Sequence, residues 1–282
     1  MKAIILNLSA WIMLPIMDGF AKYLSSTLPV LQITWSRYFF TVVIALPIML
    51  IFFRKNLTWT EQPKLQLIRG LLLFCANVLF FYSISIISLS KALTLAFIAP
   101  LIVTILSPVL LGEKVGLRRW AAVIIGFIGS LIVIRPGFVE INLASIAALG
   151  TGVLYGFYLI VTRKLHNSDH PLLTLLLTGV VGAILGTMIV PTVWVQPTIT
   201  EWYMMFAIGF FASIGHLFLI LSLRYADASK LAPFGHFEIV TNIIIGFYFF
   251  NHFPDNWTFL GLFIIMSTGV YICKREALVK SN

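Results

Sequence analysis

Charge is scarce in this chain. Asp, Glu, Lys and Arg make up 10% of its 282 residues, where a soluble domain carries about 25%, so the polar groups needed to cover a water-facing surface are absent. Cysteine is nearly absent as well. Cys75 falls inside an apolar run and Cys273 at the end of the last one, which excludes a disulfide framework and leaves the redox compartment open. There is no GxxxxGK[ST] phosphate loop, no HExxH and no metal-binding cysteine cluster, so neither a fused ATPase nor a zinc hydrolase is encoded, and no cofactor is implied. No connection is long enough for a soluble catalytic domain. The N-terminal stretch MKAIILNLSAWIMLPIMDGF is basic and then apolar, but lacks an A-x-A-like cleavage site and reads as a retained helix.

What is present is hydrocarbon: 60% of residues are hydrophobic and the mean hydropathy is +1.01. Apolar runs fall near 3–24, 31–52, 67–87, 92–111, 119–135, 144–163, 172–192, 203–223, 231–250 and 257–273, close to the ~20 residues that cross a bilayer as helix. Backbone groups must be satisfied inside lipid, and the period-2 alternation of barrel strands is missing. The expectation is an all-α membrane protein of ten transmembrane helices. Gly112 and Glu113 mark the break after the fourth.

The net charge of +9 is a topology signal rather than a nucleic-acid footprint, because the basic residues sit in short connections with no continuous face. With the N-terminus inside, Lys22, Lys91 and Arg135 are outside and Arg37 is within the second span. The remaining fifteen of the nineteen Lys and Arg residues, Arg69 among them, are then cytoplasmic. The positive-inside rule therefore puts both termini in the cytoplasm.

The halves echo each other. A shift of 139 lays Gly70 on Gly209, Ser83 on Ser222 and Ser90-Lys91 on Ser229-Lys230, and a shift of 137 lays Gly19-Phe20 on Gly156-Phe157. Two five-helix units, 1–138 and 139–282, would enter the membrane with opposite polarity, because five is odd. Inverted repeats are common in secondary transporters, with the substrate site near the midplane. The shift also carries Asn77 onto His216, two polar side chains at similar depth.

Polar groups inside spans are expensive and face cavities or partners. Glu238 is deep in the ninth span and shares a face with Asn242, whereas His236 points about 200° away around the helix. Glu238 either binds substrate or carries a proton, or it is protonated and ties helices together. Asp18 has Lys22 four residues on, and a helix-end ion pair is its bland reading. Arg37 either snorkels outward, pairs with an acid such as Asp18, or meets an anionic substrate group. Asn77 and His216 divide between helix bridging and cavity lining. Trp59, Trp120, Trp194, Trp202 and Trp257 fit interfacial belts, while Trp11, Tyr82, Tyr155 and Tyr158 lie inside spans and offer faces to a flat ring. Pro100, Pro108 and Pro233 loosen the fourth and ninth spans.

RGLLLF at 69–74, FIAPLIVTILSPVLLGEK at 97–114, APFGHFEIVTNIIIGFYFFNHFPDNW at 232–257 and GVYICKRE at 269–276 resemble the EamA-type branch of the drug/metabolite transporter superfamily over nearly the whole chain. Gly112-Glu113 matches the family's glycine–glutamate pair, and Glu238 a carboxylate often found at that position. Asn251-His252 departs from a second glutamate, and His236 from a frequent tyrosine.

The resemblance implies a bacterial inner-membrane carrier, not an enzyme. It would move a small polar or amphipathic metabolite by alternating access through a cavity lined by the first, third, fourth, sixth, eighth and ninth helices. Within the superfamily the segments look most like S-adenosylmethionine importers, with riboflavin and amino-acid carriers as alternatives. The candidate substrate-binding residues are Glu238, His216, Asn77, Asp18, Arg37, His236, Tyr82, Tyr158, Trp11 and Asn242. Partners are the small-molecule substrate, membrane lipid and, where transport is secondary active rather than facilitative, protons, with no nucleic acid; monomer and homodimer stay open. A membrane-embedded enzyme would need nucleophile or metal ligands converging at one depth, and a non-transporting scaffold is the remaining class.

Overall fold

The computed structural model describes residues 1–87, 89–134, 142–250 and 255–279. Every regular element among them is helical. In chain order these are α1 (Lys2–Leu24), α2 (Val30–Phe52), α3 (Pro63–Ile86), α4 (Leu89–Ala96), α5 (Ile98–Leu111), α6 (Leu117–Ile134), α7 (Leu143–Lys164), α8 (Pro171–Ile189), α9 (Ile199–Tyr225), α10 (Ala228–Leu231), α11 (Phe237–Phe250) and α12 (Asn256–Val279). Among the described residues six segments are long and apolar enough to cross a membrane: α1, α2, α3, α7, α8 with the turn after it, and α9. The chain is a multi-pass membrane protein.

Local chemistry sets the helix ends. Pro63 and Pro171 open α3 and α8 at positions whose N–H would have no helical partner. The Asn142 side chain accepts from the Ser145 amide at the start of α7, and Thr198 with Glu201 forms a capping box on α9. Gly112 ends α5 at φ 67, a left-handed conformation a side chain would disfavour.

The expected single spans 92–111 and 231–250 are not continuous helices. The first is divided between α4 and α5 at Phe97, and Pro100 follows where a helix start leaves N–H groups unpaired anyway. The second consists of α10, a 3-10 segment over Ala232–His236 that contains Pro233, and α11. Proline removes a ladder donor in each case, and the chain bends where that donor is missing.

Packing brings distant segments together. α1 lies along α9 and α3 along α7; α2 contacts α8 and α9, α3 contacts α8, α5 contacts α7, α11 contacts α1, and α6 lies against α12. Several close approaches depend on glycine, among them those at Gly70 and Gly209. A Cβ on Gly70 of α3 would collide with Val181 of α8, and one on Gly209 of α9 with Phe40 of α2.

Candidate functional site

A cavity of about 920 Å³, counting the part open to solvent, lies where these helices converge. Its walls come from α1, α3, α4, α5, α7, α9, α10 and α11, so both interrupted segments border it. Helical spacing explains which side chains face it. Asn7, Trp11, Leu14 and Asp18 are separated by four, three and four residues, one stripe of α1. Thr151, Tyr155 and Leu159 form a stripe of α7, and His216, Leu219 and Leu223 one of α9. Most of the wall is apolar.

Its polar groups include two carboxyls, Asp18 and Glu238, and no Lys or Arg among the described residues. Glu238 sits in the first turn of α11, and the two carboxyls lie within electrostatic range of each other. Neither closes an ion pair. Asp18 Oδ1 and the Tyr155 hydroxyl are buried without a hydrogen-bond partner, although buried polar groups are ordinarily satisfied. The Trp11 indole donates to Asn7 Oδ1 at 2.8 Å, and Asn7 Nδ2 donates to Ser222 at 3.3 Å. Asn77 Nδ2 donates to the Tyr38 hydroxyl at 2.8 Å and to the Leu73 carbonyl at 2.6 Å. Trp11 meets Tyr155 edge to face, with ring centroids 6.4 Å apart, giving the cavity an aromatic corner.

His216 connects this wall to charges behind it. Its Nε2 is hydrogen-bonded to Arg37 Nη2, and its Nδ1 lies 2.9 Å from the Tyr158 hydroxyl. A guanidinium only donates, so Nε2 must accept. The imidazole is therefore neutral with its proton on Nδ1, and it donates to Tyr158. The same tyrosine oxygen accepts from Arg69 Nη2 at 2.7 Å.

Five of the ten candidate substrate-binding residues, Trp11, Asp18, Asn77, His216 and Glu238, share this cavity, with Tyr155 and Pro100 also on its wall. Arg37 and Tyr158 stand behind His216 and line a smaller pocket. Tyr82 is half-buried on α3, away from the wall. Asn242 is one turn along α11, donating to the Glu238 carbonyl at 2.9 Å with its own Oδ1 unpaired. His236 is fully buried, 5.7 Å from the Phe97 ring, with Nδ1 3.0 Å from the Ser130 hydroxyl. Asn251-His252 lies outside the described residues.

Three expectations about cations change. Lys22 does not pair with Asp18; it reaches the carbonyls of Ile84 and Ile87 at the end of α3, where helix carbonyls lack partners. Arg37 neither snorkels outward nor bonds to Asp18; Met17 sulfur and His216 receive it. Arg69 is completely buried in α3 rather than in a solvated connection, bonded to Thr162, Thr178 and the Thr174 carbonyl as well as Tyr158. Asn7 and Thr151 on the wall went unnoticed in the sequence, although the four-three-four spacing of the α1 stripe was there to be read.

One end of the bundle is held by Glu113. Its carboxylate accepts from the amides of Ala228 and Ser229 at 2.9 and 3.0 Å and from the Ser229 hydroxyl at 2.7 Å. Arg163 pairs with it at 3.3 Å and with Asp227 at 2.9 Å. Partial burial pushes the Glu113 carboxyl up, but the Ser229 hydroxyl, the two amides and Arg163 outweigh it and hold the group below its ordinary value of 4.5.

The chain is similar to known proteins in sequence and in fold. An S-adenosylmethionine uptake transporter of Rickettsia conorii is 27% identical over 259 residues, covering 92% of this chain and 88% of that one. A riboflavin transporter of Vibrio cholerae is 26% identical over 273 residues (95% and 92%), and a pseudopaline exporter of Pseudomonas aeruginosa 25% identical over 267 residues (93% and 92%). A crystal structure superposes over 99% of both chains with a TM-score of 0.80 at 16% identity, which shows the shared fold. The sequence profile of the EamA-like transporter family matches residues 1–135 and again 142–273. The chain belongs to the EamA-like transporter family.

Proposed function

We propose that this protein carries a small cationic or zwitterionic metabolite with a flat ring across a bacterial inner membrane, S-adenosylmethionine being the cargo that fits best. The observation that carries this reading is the pair Asp18 and Glu238, facing one cavity with no Lys or Arg on its wall. Two carboxyls in a water-poor site repel each other and favour a positive ligand. A sulfonium or ammonium group supplies that charge. Trp11 and Tyr155 offer ring faces to a purine, and Asn77, whose Nδ2 is already engaged, offers its Oδ1 as an acceptor. The S-adenosylmethionine and riboflavin transporters among the relatives make a flat heterocycle common to both candidate cargoes, and the carboxyl pair favours the charged one.

Alternating access is the mechanism we assign, with ten crossings as two inverted units, 1–138 and 139–282, and both termini cytoplasmic. Several observations support the repeat. α4 and α5 begin at Leu89 and Ile98, and α10 and α11 begin at Ala228 and Phe237, 139 residues later in each case. Exchanging α1, α2, α3, α5 and α6 for α7, α8, α9, α11 and α12 leaves the packing pattern unchanged. The family profile matches twice. Phe97 and His236, also 139 apart, touch as residues on a pseudo-twofold axis would. Glu238 is then the group able to carry a proton between the two sides.

Proteoliposome uptake with a competition panel of S-adenosylmethionine, riboflavin, amino acids and carboxylates tests the cargo. S-adenosylmethionine should compete best; competition by riboflavin alone would refute the charge argument. Glu238→Gln should abolish uphill accumulation and, at cargo concentrations high enough to offset its weaker binding, leave counterflow exchange intact. Loss of both together would assign Glu238 to binding rather than coupling.

A further inference from the structure

Behind His216, between Arg37 and Arg69, lies a second and far smaller pocket of about 10 Å³, room for one water-sized occupant. Both arginines are buried, at 2% and 0% exposure, and guanidinium groups stay protonated. Yet every hydrogen-bond partner they have is neutral. Arg69 donates to Thr162 at 2.8 Å, to the Thr174 carbonyl at 3.1 Å, to Thr178 and to the Tyr158 oxygen. Arg37 donates to Met17 sulfur at 3.3 Å and to neutral His216, and its Nη1 has no partner.

Charges removed from water are normally paired. Asp18 is within electrostatic range of Arg37, but neither Asp18 nor Glu238 hydrogen-bonds to a guanidinium among the described residues. No Asp or Glu lines the pocket among the described residues. Each guanidinium also lies over a tyrosine ring, Arg37 4.8 Å above Tyr38 and Arg69 4.7 Å above Tyr158. The rings cover one face of each group and leave its N–H edges to bind. Thr41 and Thr178, also on the wall, already donate their hydroxyl protons to helix carbonyls, so the free donor on offer is guanidinium.

We propose that the pocket between Arg37 and Arg69 binds one small monovalent anion. Guanidinium recognises halide and carboxylate alike, so the anion has two sources: a free halide, or a carboxylate carried by the cargo past His216, which lines both spaces. Only the second source rests on the cargo reading above; halide binding to the empty protein stands without it.

The test is the thermal unfolding midpoint of the purified full chain in detergent, titrated with sodium bromide against sodium gluconate, whose polyol chain is too bulky for the pocket, at constant ionic strength. A saturable upward shift with bromide is expected, weakened at least about tenfold in affinity by Arg37→Lys and lost in Arg37→Gln. Because Arg37→Gln can also fail to fold, anomalous scattering from bromide-soaked wild-type crystals provides the independent readout, with the ion expected between the two guanidiniums. In the second arm, S-adenosylmethionine should compete with bromide if its carboxylate enters the pocket, while its methyl ester should not. The proposal is overturned if bromide and gluconate act alike and acid and ester bind equally. It is equally overturned if the bromide shift persists unchanged in folded Arg37→Lys and Arg37→Gln proteins.

Discussion

Tyr158 shows how much one oxygen holds in this protein. It accepts from His216 Nδ1–H and from Arg69 Nη2, so Tyr158→Phe would leave two buried donors without an acceptor. Each such orphan costs about 1–3 kcal/mol, and the variant should lose stability of that order in thermal unfolding; an unchanged midpoint would mean that the tyrosine merely fills space. The sequence reading placed His216 opposite Asn77 from a repeat shift, and both line the cavity. It could not place Arg37 and Arg69, because their partners are spread over α1, α7, α8 and α9, and contacts between distant segments leave no periodic mark on a sequence. Arg69 was assigned to a solvated connection because it falls near the start of an apolar run, where a lysine or arginine usually reaches water. Here the threonines of α7 and α8 replace that water.

At the scale of elements, the apolar runs were legible because burial in lipid demands about twenty hydrocarbon-rich residues per crossing. The interruptions at Phe97 and across Ala232–His236 were legible only as prolines, since a proline permits a bend without dictating how far it goes. Gly70 and Gly209, 139 residues apart, each let two helices approach where a side chain would collide with Val181 or Phe40. Gly209→Leu should therefore cost about 1–3 kcal/mol through overpacking, read as a lowered unfolding midpoint; full stability would show that α2 and α9 have room to part.

The Glu113 junction joins α5 to α10 and should respond to pH. Its folded carboxyl titrates below the ordinary 4.5, so its stabilisation is present above about that value and is lost as pH falls through the folded value. Amide exchange at Ala228 and Ser229, corrected for intrinsic rates, should accelerate at least about tenfold in Glu113→Ala at neutral pH, and in the wild type only on acidification. Equal protection in both proteins would remove Glu113 from the junction.

For the whole molecule, the charge distribution, the helical content and the twofold match to one transporter family lead to the same conclusion. The account adds a division of labour. On the proposed reading, a carboxyl-bearing cavity meets the cationic part of the cargo, and two arginines behind His216 meet an anion. Binding of labelled S-adenosylmethionine to the purified protein, compared among wild type, Asp18→Asn and Glu238→Gln, tests the central claim most directly. The account predicts saturable binding weakened about tenfold or more by each substitution, the loss of about 1.4 kcal/mol or more of charge-assisted contact. Binding that is unchanged in both variants, or that a neutral flavin displaces as readily as S-adenosylmethionine itself, would contradict it.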